Sequence, residues 1–278
     1  MVEPFIGSEA LAAGRVTRGQ LGTRHSRLFP DVYLDRDIVV TTADRARAGW
    51  LWSQRKGVVA GFAAAALHGS DWVDDRPAEL IHDNRHRLPG LLIHGDELRP
   101  DEIQVLDGVP VTNPARTAVD LGCWYPMVEA VSGMDALVRA AEFKDVDVQQ
   151  ILARCTGRRG VVRARESLDL VDPGAESPKE SWLRVALIRA GLPRPQTQIP
   201  VYDGYWEPFA VLDMGWPELK VAAEYDGDQH RTDPQRWRRD AKRAERLQRL
   251  GWIVIRVLAG DREPDVVRRV RSALARRA

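Results

Sequence analysis

Hydrophobic positions recur along this chain with two different spacings, and the change between them marks out its elements. Near the start the elements are short. Ser8 stands where it can cap a first helix through Ala13, and Thr17 caps a second, Arg18–Leu21. Residues 27–34 alternate in strand-like fashion, with a turn at Pro30-Asp31. Two short helices ahead of a β-wing predict a winged helix-turn-helix. Thr42 or Asp44 then opens a helix through Trp52, and an Ala-rich helix follows over residues 59–67.

Residues 78–112 contain β-like runs at 79–82, 91–94 and 108–111. Asn113-Pro114 places a capping side chain before a proline at the first helical position, which starts a helix through Cys123. Further helices are expected over 126–143 and 147–153. The His82, Asp83, His86 and His94 group lies in a loop-like stretch without tetrahedral ligand spacing, so it is not counted as a metal site. Asp172-Pro173-Gly174 is the clearest break in the chain. This reading sets three regions: 1–75 winged-helix-like, 76–172 mixed but mainly helical, and 173–278 a separate domain.

Beyond the break the pattern is more regular. Trp182, Leu183, Ala186, Leu187 and Ala190 repeat at helical spacing, and Gly191 closes that helix. Residues 196–202 and 206–214 read as strands joined by an Asp203-Gly204 hairpin turn, and 219–225 as a third. A long helix runs from Asp233-Pro234 to Leu250, then a strand over 252–258 and a helix over 264–277. The order is α-β-β-β-α-β-α. The fold class is α/β (α+β): a mixed-sheet α-β-β-β-α-β core, preceded by a winged helix-turn-helix and a mostly helical middle.

Composition alters this picture only through charge. The 278 residues are 44% apolar and 29% charged, ordinary for a soluble globular protein, and nothing approaches a membrane span. The Met1-Val2-Glu3-Pro4 start lacks the basic and apolar parts of a signal peptide. Two cysteines are too few for a disulfide framework, so a cytoplasmic location is expected. The formal net charge of +1 hides an asymmetry. Residues 227–278 hold 15 Lys/Arg against 7 Asp/Glu, a net +8, while residues 1–226 hold 26 against 33, a net −7. A basic tail of this kind suits a phosphate-bearing partner.

The third strand of the C-terminal region carries the candidate chemistry. Its two-residue period puts Leu219, Val221, Ala223 and Tyr225 on one face and Lys220, Ala222, Glu224 and Asp226 on the other. Two carboxylates side by side at the end of an apolar strand call for a cation between them, and Mg²⁺ (or Mn²⁺) is the natural one. Asp213 is a possible third ligand, although antiparallel counting pairs it nearer Lys220 than Glu224, so a twist or bulge would be needed. Glu180 is a possible fourth, although Ser177-x-x-Glu180 also reads as a capping box. On the long helix an apolar stripe of Trp237, Ala241, Ala244 and Leu247 faces the sheet. Arg236, Arg239, Lys242, Arg243 and Arg246 form a basic surface for nucleic acid. Thr17, Arg18 and Arg24 are the corresponding candidates in the first region.

Asp213, Glu224-Tyr225-Asp226-Gly227, His230, Arg239-Asp240, Arg243, Leu247 and Gly251-Trp252 occur in an order that resembles the PD-(D/E)xK nuclease superfamily. The branch is that of the very-short-patch-repair (Vsr) endonucleases, domain of unknown function 559, and the likeness runs from about Ser177 to Leu258. Residues 1–172, with the phrase Thr112–Leu121, look like the N-terminal half of actinobacterial proteins of this type. Their start is similar to the winged-helix domain of AbiEi-type antitoxins.

The resemblance implies a Mg²⁺-dependent DNA endonuclease, acting in repair or defence, with a restriction-endonuclease-like core. Asp213, Glu224 and Asp226 would be its metal ligands. Glu180 would match a helix-borne Glu, and His230 a histidine near the scissile phosphate. The ion would polarise the phosphate and lower the pKa of an attacking water. The superfamily's motif Lys is replaced by Asp226, a departure the Vsr-like branch shares, and Lys220, Arg239, Lys242 or Arg243 could substitute. The rival reading is a non-catalytic DNA-binding regulator or antitoxin that keeps the nuclease fold as a scaffold; an RNA-cleaving toxin is a third. DNA, or else RNA, is the expected partner, with no membrane.

Overall fold

A computed structural model describes residues 3–84, 86, 88–227 and 234–277, with the side chains of 234–238 outside the description. The chain divides into two compact units, Met1–Val171 and Asp172–Ala278. Both mix helices with sheets.

The first unit opens with β1 (Phe5–Ile6), α1 (Gly7–Ala12), α2 (Arg18–Arg24), β2 (His25–Phe29) and β3 (Val32–Asp35). The three strands form one antiparallel sheet in the order β1-β3-β2. Thr17 caps α2 as its sequence suggests, in a reciprocal capping box with Gln20. Ser8 does not cap α1: it lies inside the helix, and the N-cap residue Ile6 contributes no side-chain bond. The side chain of Asp31, from the β2–β3 turn, accepts the Ser8 N–H at 2.9 Å and the Ser8 hydroxyl at 2.5 Å. A distant carboxylate thus does the work that the local sequence assigned to serine.

Next come α3 (Thr42–Trp52), β4 (Val58–Val59), α4 (Gly61–Leu67), β5 (Ala78–Ile81), β6 (Leu91–His94), β7 (Ile103–Leu106) and β8 (Val109–Thr112). Helices α5 (Pro114–Trp124), α6 (Met127–Ala140), α7 (Asp145–Arg154) and α8 (Val161–Asp169) follow. The strands build a five-stranded sheet in the order β6-β5-β4-β8-β7. The middle region mixes these strands with four helices, and α8 is a helix that the hydrophobic pattern did not mark. No boundary in packing falls at residue 75: β4 pairs with both β5 and β8, and so joins residues on either side of that point.

The second unit runs α9 (Pro178–Arg189), β9 (Gln196–Val201), β10 (Ala210–Trp216), β11 (Val221–Asp226), α10 (Pro234–Arg249), β12 (Ile253–Leu258) and α11 (Glu263–Ala275). Its α-β-β-β-α-β-α order is the one the hydrophobic pattern predicts. The sheet order is β12-β11-β10-β9, with β11 and β12 parallel and the other pairs antiparallel. One face packs Met214, Trp216, Val221 and Ala223 against Leu183 and Leu187 of α9 and Val266 and Val270 of α11. The other packs Leu212 and Ala222 against Leu247 of α10.

Two details differ from expectation. The second strand begins at Ala210 rather than 206, and the loop before it leaves Trp206 fully exposed. The third begins at Val221, because Pro217–Leu219 form a 3₁₀ turn and Lys220 takes a left-handed conformation (φ 48°).

Candidate functional site

The tight turn at Pro217–Lys220 determines which carboxylates meet. With four residues consumed there, Trp216 pairs with Val221 and Met214 with Ala223. Continued by one residue, that register sets Asp213 opposite Glu224, not near Lys220. Lys220 leaves the strand face altogether: its Nζ donates to the Leu250 carbonyl at 2.9 Å, at the C-terminal end of α10, where a cation is favoured.

β10 also turns over at this point. Leu212 packs on the α10 side of the sheet, yet Met214 packs on the α9 side, although residues two apart normally share a face. The residue across β10 from Asp213 is Gln198, whose φ of 49° breaks the regularity of β9. The Asp213 side chain consequently lies toward β11, where Oδ2 accepts the Tyr225 N–H at 2.8 Å. The twist needed to bring Asp213 to the site is present.

Charge balance in the site comes from arginine. Glu224 is 8% exposed, and the two guanidinium nitrogens of Arg243 reach its carboxylate at 3.1 and 2.5 Å. The same guanidinium donates to the Val211 carbonyl at 3.0 Å. The pair is bidentate, and its hydrogen bonds to Glu224 raise the pKa of Arg243. Asp213 behaves differently. Burial pushes its carboxyl up to about 7; the Tyr225 N–H opposes the rise, while the Glu180 and Glu224 charges add to it.

Glu180 is engaged by its own helix. Ser177 Oγ donates to one carboxylate oxygen at 2.8 Å, and the Glu176 N–H to the other, also at 2.8 Å. It therefore does serve as part of the α9 cap. Asp226 follows Glu224 on the same strand, but at an exposed end. His230 lies outside the described residues.

These residues do not fit a divalent ion as they stand. Both Glu224 oxygens face Arg243, an Asp213 oxygen is held by a backbone amide, and Glu180 is taken up in a helix cap. Among the described residues no group of three or more His, Cys, Asp or Glu side chains is placed to hold a metal. Arg243 supplies the positive charge beside Glu224 in this structure.

The basic surface on α10 is likewise divided. Arg239 and Lys242 are exposed and face solvent. Arg243 is taken by Glu224. Arg246 is paired with Asp203 and lies over the Phe209 ring, 4.3 Å from its centroid. The Arg236 and Trp237 side chains lie outside the described residues. Ala241 is half-buried and Leu247 buried, but Ala244 is exposed, so the apolar stripe is narrower than expected. In the first unit Arg18 and Arg24 are exposed on α2, whereas the Thr17 hydroxyl is committed to its cap, accepting from the Gln20 N–H at 3.2 Å.

The phrase at Thr112–Leu121 belongs to a buried charge network. Arg116 Nε donates to Asp120 at 2.8 Å and its Nη1 pairs with Glu102; Arg158 Nη2 reaches Asp120 at 2.6 Å. Arg116, Asp120 and Glu102 are all buried. The i, i+4 spacing of Arg116 and Asp120 was the available sequence signal for this network. A second buried set joins the Tyr125 hydroxyl and the Phe62 N–H to Glu79, with His94 stacked on Trp124 at 3.4 Å.

Comparison with known proteins bears on both units. The AbiEi antitoxin C-terminal domain matches residues 58–170, from the first residue of β4 to just past the end of α8. An uncharacterized protein of Mycobacterium tuberculosis, Rv2248 in strain H37Rv and MT2308 in strain CDC 1551, is 33% identical over 205 residues. The alignment covers 72% of this chain and 74% of the relative, which is longer than either unit alone and so crosses from one to the other. No helix among the described residues is long and apolar enough to cross a membrane. Residues 58–170 of the first unit are similar to the AbiEi antitoxin C-terminal domain, and the chain belongs to the family of these mycobacterial proteins.

Proposed function

We propose that the protein is a non-catalytic DNA-binding regulator of the antitoxin kind, whose C-terminal unit keeps a nuclease-like framework as a scaffold. The observation that carries this reading is the Arg243–Glu224 pair. A guanidinium that takes both oxygens of the central carboxylate supplies its neutralisation from within the chain. The match to an antitoxin domain over residues 58–170 supports the same class.

DNA would be met by exposed cations: Arg18 and Arg24 on α2, which would be the reading helix of a winged helix-turn-helix, and Arg239 and Lys242 on α10. Tyr205 and Trp206, exposed ahead of β10, offer ring faces on which bases can stack. Arg18→Ala and Arg24→Ala are expected to weaken binding to a promoter fragment uniformly and to flatten its salt dependence by about one ion each. A mobility-shift titration at several salt concentrations measures both.

One observation favours the nuclease reading instead: the register that sets Asp213 opposite Glu224 on neighbouring strands. Supercoiled plasmid incubated with purified protein and Mg²⁺ or Mn²⁺ separates the two. Intact plasmid together with a shifted promoter fragment is the expected result. Nicking that disappears in Asp213→Ala and Glu224→Ala overturns the regulator assignment.

A further inference from the structure

β12 is an outer strand of the C-terminal sheet, with β11 on one side. The Ile253 N–H donates to the Lys220 carbonyl at 2.8 Å, so residues 253, 255 and 257 turn their backbone groups toward β11. Residues 252, 254, 256 and 258 turn theirs outward. Some of these outward groups are already satisfied. The Trp252 N–H donates to the Leu247 carbonyl (3.0 Å), the Arg256 carbonyl accepts from Arg269 (3.0 Å), and the Leu258 N–H donates to Asp261 (3.1 Å). Between them, the carbonyls of Trp252 and Val254 and the N–H groups of Val254 and Arg256 have no hydrogen-bond partner among the described residues.

These groups line a groove. A cavity of about 820 Å³ runs along them, lined by five consecutive residues, 252–256. Because successive side chains point to opposite faces, only a groove along the strand's edge can touch all five. Residues of α10 form one wall and residues of α11 the other; Arg268 of α11, ion-paired with Asp265 at 2.9 Å, and Arg276 just past its end are exposed at the rim with Arg256 beside them.

We propose that this edge is a strand-addition site for an extended acidic segment of a partner protein. The backbone pattern selects a polypeptide, since only another strand offers donors and acceptors in the alternation that Trp252, Val254 and Arg256 present. A phosphate chain has acceptors alone and would leave the carbonyls of Trp252 and Val254 unmet. The rim arginines select acidic side chains. Pairing with a second copy of this strand would set Arg256, Arg268 and Arg276 against their own equivalents, a like-charge arrangement that disfavours self-association. The proposal does not depend on how the protein engages DNA.

The test uses the full chain and three labelled nonapeptides: alternating Glu and Val, the same peptide N-methylated at alternate residues, and alternating Lys and Val. Fluorescence anisotropy reads binding, and hydrogen exchange reads the Val254 and Arg256 amides. The acidic peptide is expected to bind and protect both amides. N-methylation is expected to weaken it about tenfold or more, because the methyl groups block the ladder. Val254→Pro, which deletes an outward N–H at an edge where proline is tolerated, is expected to cause a similar loss. Arg268→Glu with Arg276→Glu is expected to shift preference to the Lys peptide. Equal binding of the N-methylated peptide overturns the proposal, as does failure of all three to bind. So does protection of the two amides by a single-stranded oligonucleotide in place of the acidic peptide. The N-methylated comparison stands even if Val254→Pro fails to fold.

Discussion

Both units place carboxylates out of water beside arginine, and they do so in different ways. In the first, Asp120 is fully buried between Arg116 and Arg158, and Arg116 is itself 3% exposed and also holds Glu102. Both carboxylates and Arg116 are buried and Arg158 is nearly so, and the network ties α5 to the segment before β7 and to the residues leading into α8. In the second, Glu224 is buried but its partner Arg243 is only part-buried and stands on the wall of an open groove. The difference is one of exchangeability. A closed network can only hold the fold together, because removing one member strands the others away from water. An arginine at a groove can leave its carboxylate for another anion, so the second cluster is where a ligand can alter the charge balance.

The largest effect that tests this contrast is expected in the first unit. Arg116→Ala leaves Asp120 and Glu102 short of a cation and should cost about 3–5 kcal/mol, read by chemical denaturation. A loss below about 1 kcal/mol would mean that the network is not closed.

Asp213 gives the next effect, through pH. Its folded-state pKa of about 7 lies above the ordinary 3.8, so the protonated form is favoured by folding. The associated stability is fully present below about pH 4 and is lost as pH rises through 7. The ceiling is about 4 kcal/mol, reduced by the group's partial exposure. Asp213→Asn should remove most of this slope between pH 4 and 8 and be the more stable protein at pH 8. Parallel stability curves for the two proteins would show that Asp213 ionises normally.

Arg243→Ala comes third. It leaves Glu224 buried without its partner, at about 1–3 kcal/mol. Mg²⁺ at millimolar concentration should raise the melting temperature of Arg243→Ala and leave that of the unaltered protein unmoved. A rise in both would return the ion to the site. The smallest effect is that of Thr17→Ala, about 1 kcal/mol of local stability in α2, visible as faster amide exchange at Gln20. Arg18→Ala, by contrast, should change DNA affinity and leave exchange alone.

Much of the fold was legible because its signals are local. The spacing of Trp182, Leu183, Ala186 and Leu187 needed only helical geometry, and Asn113-Pro114 and Thr17 declared their helix starts through their own side chains. What could not be read depended on partners far along the chain. β4 is two residues long and exists because β5 and β8 lie on either side of it. Ser8 looked like a cap until Asp31 arrived from a distant turn. For the carboxylate site the residue types were legible and the register was not, since one 3₁₀ turn ending at Lys220 shifts every cross-strand partner.

The sequence by itself determined the α-β-β-β-α-β-α order of the second unit, most helix starts, the concentration of positive charge after residue 226 and the candidacy of Glu224. The tertiary structure alone decided that Asp213 lies opposite Glu224, that Arg243 rather than Lys220 serves that carboxylate, and that β12 keeps an open edge. Periodicity and capping are properties of neighbouring residues. Register, charge pairing and edge exposure arise when segments distant in the chain meet, and a change of one residue in a turn is enough to shift the register.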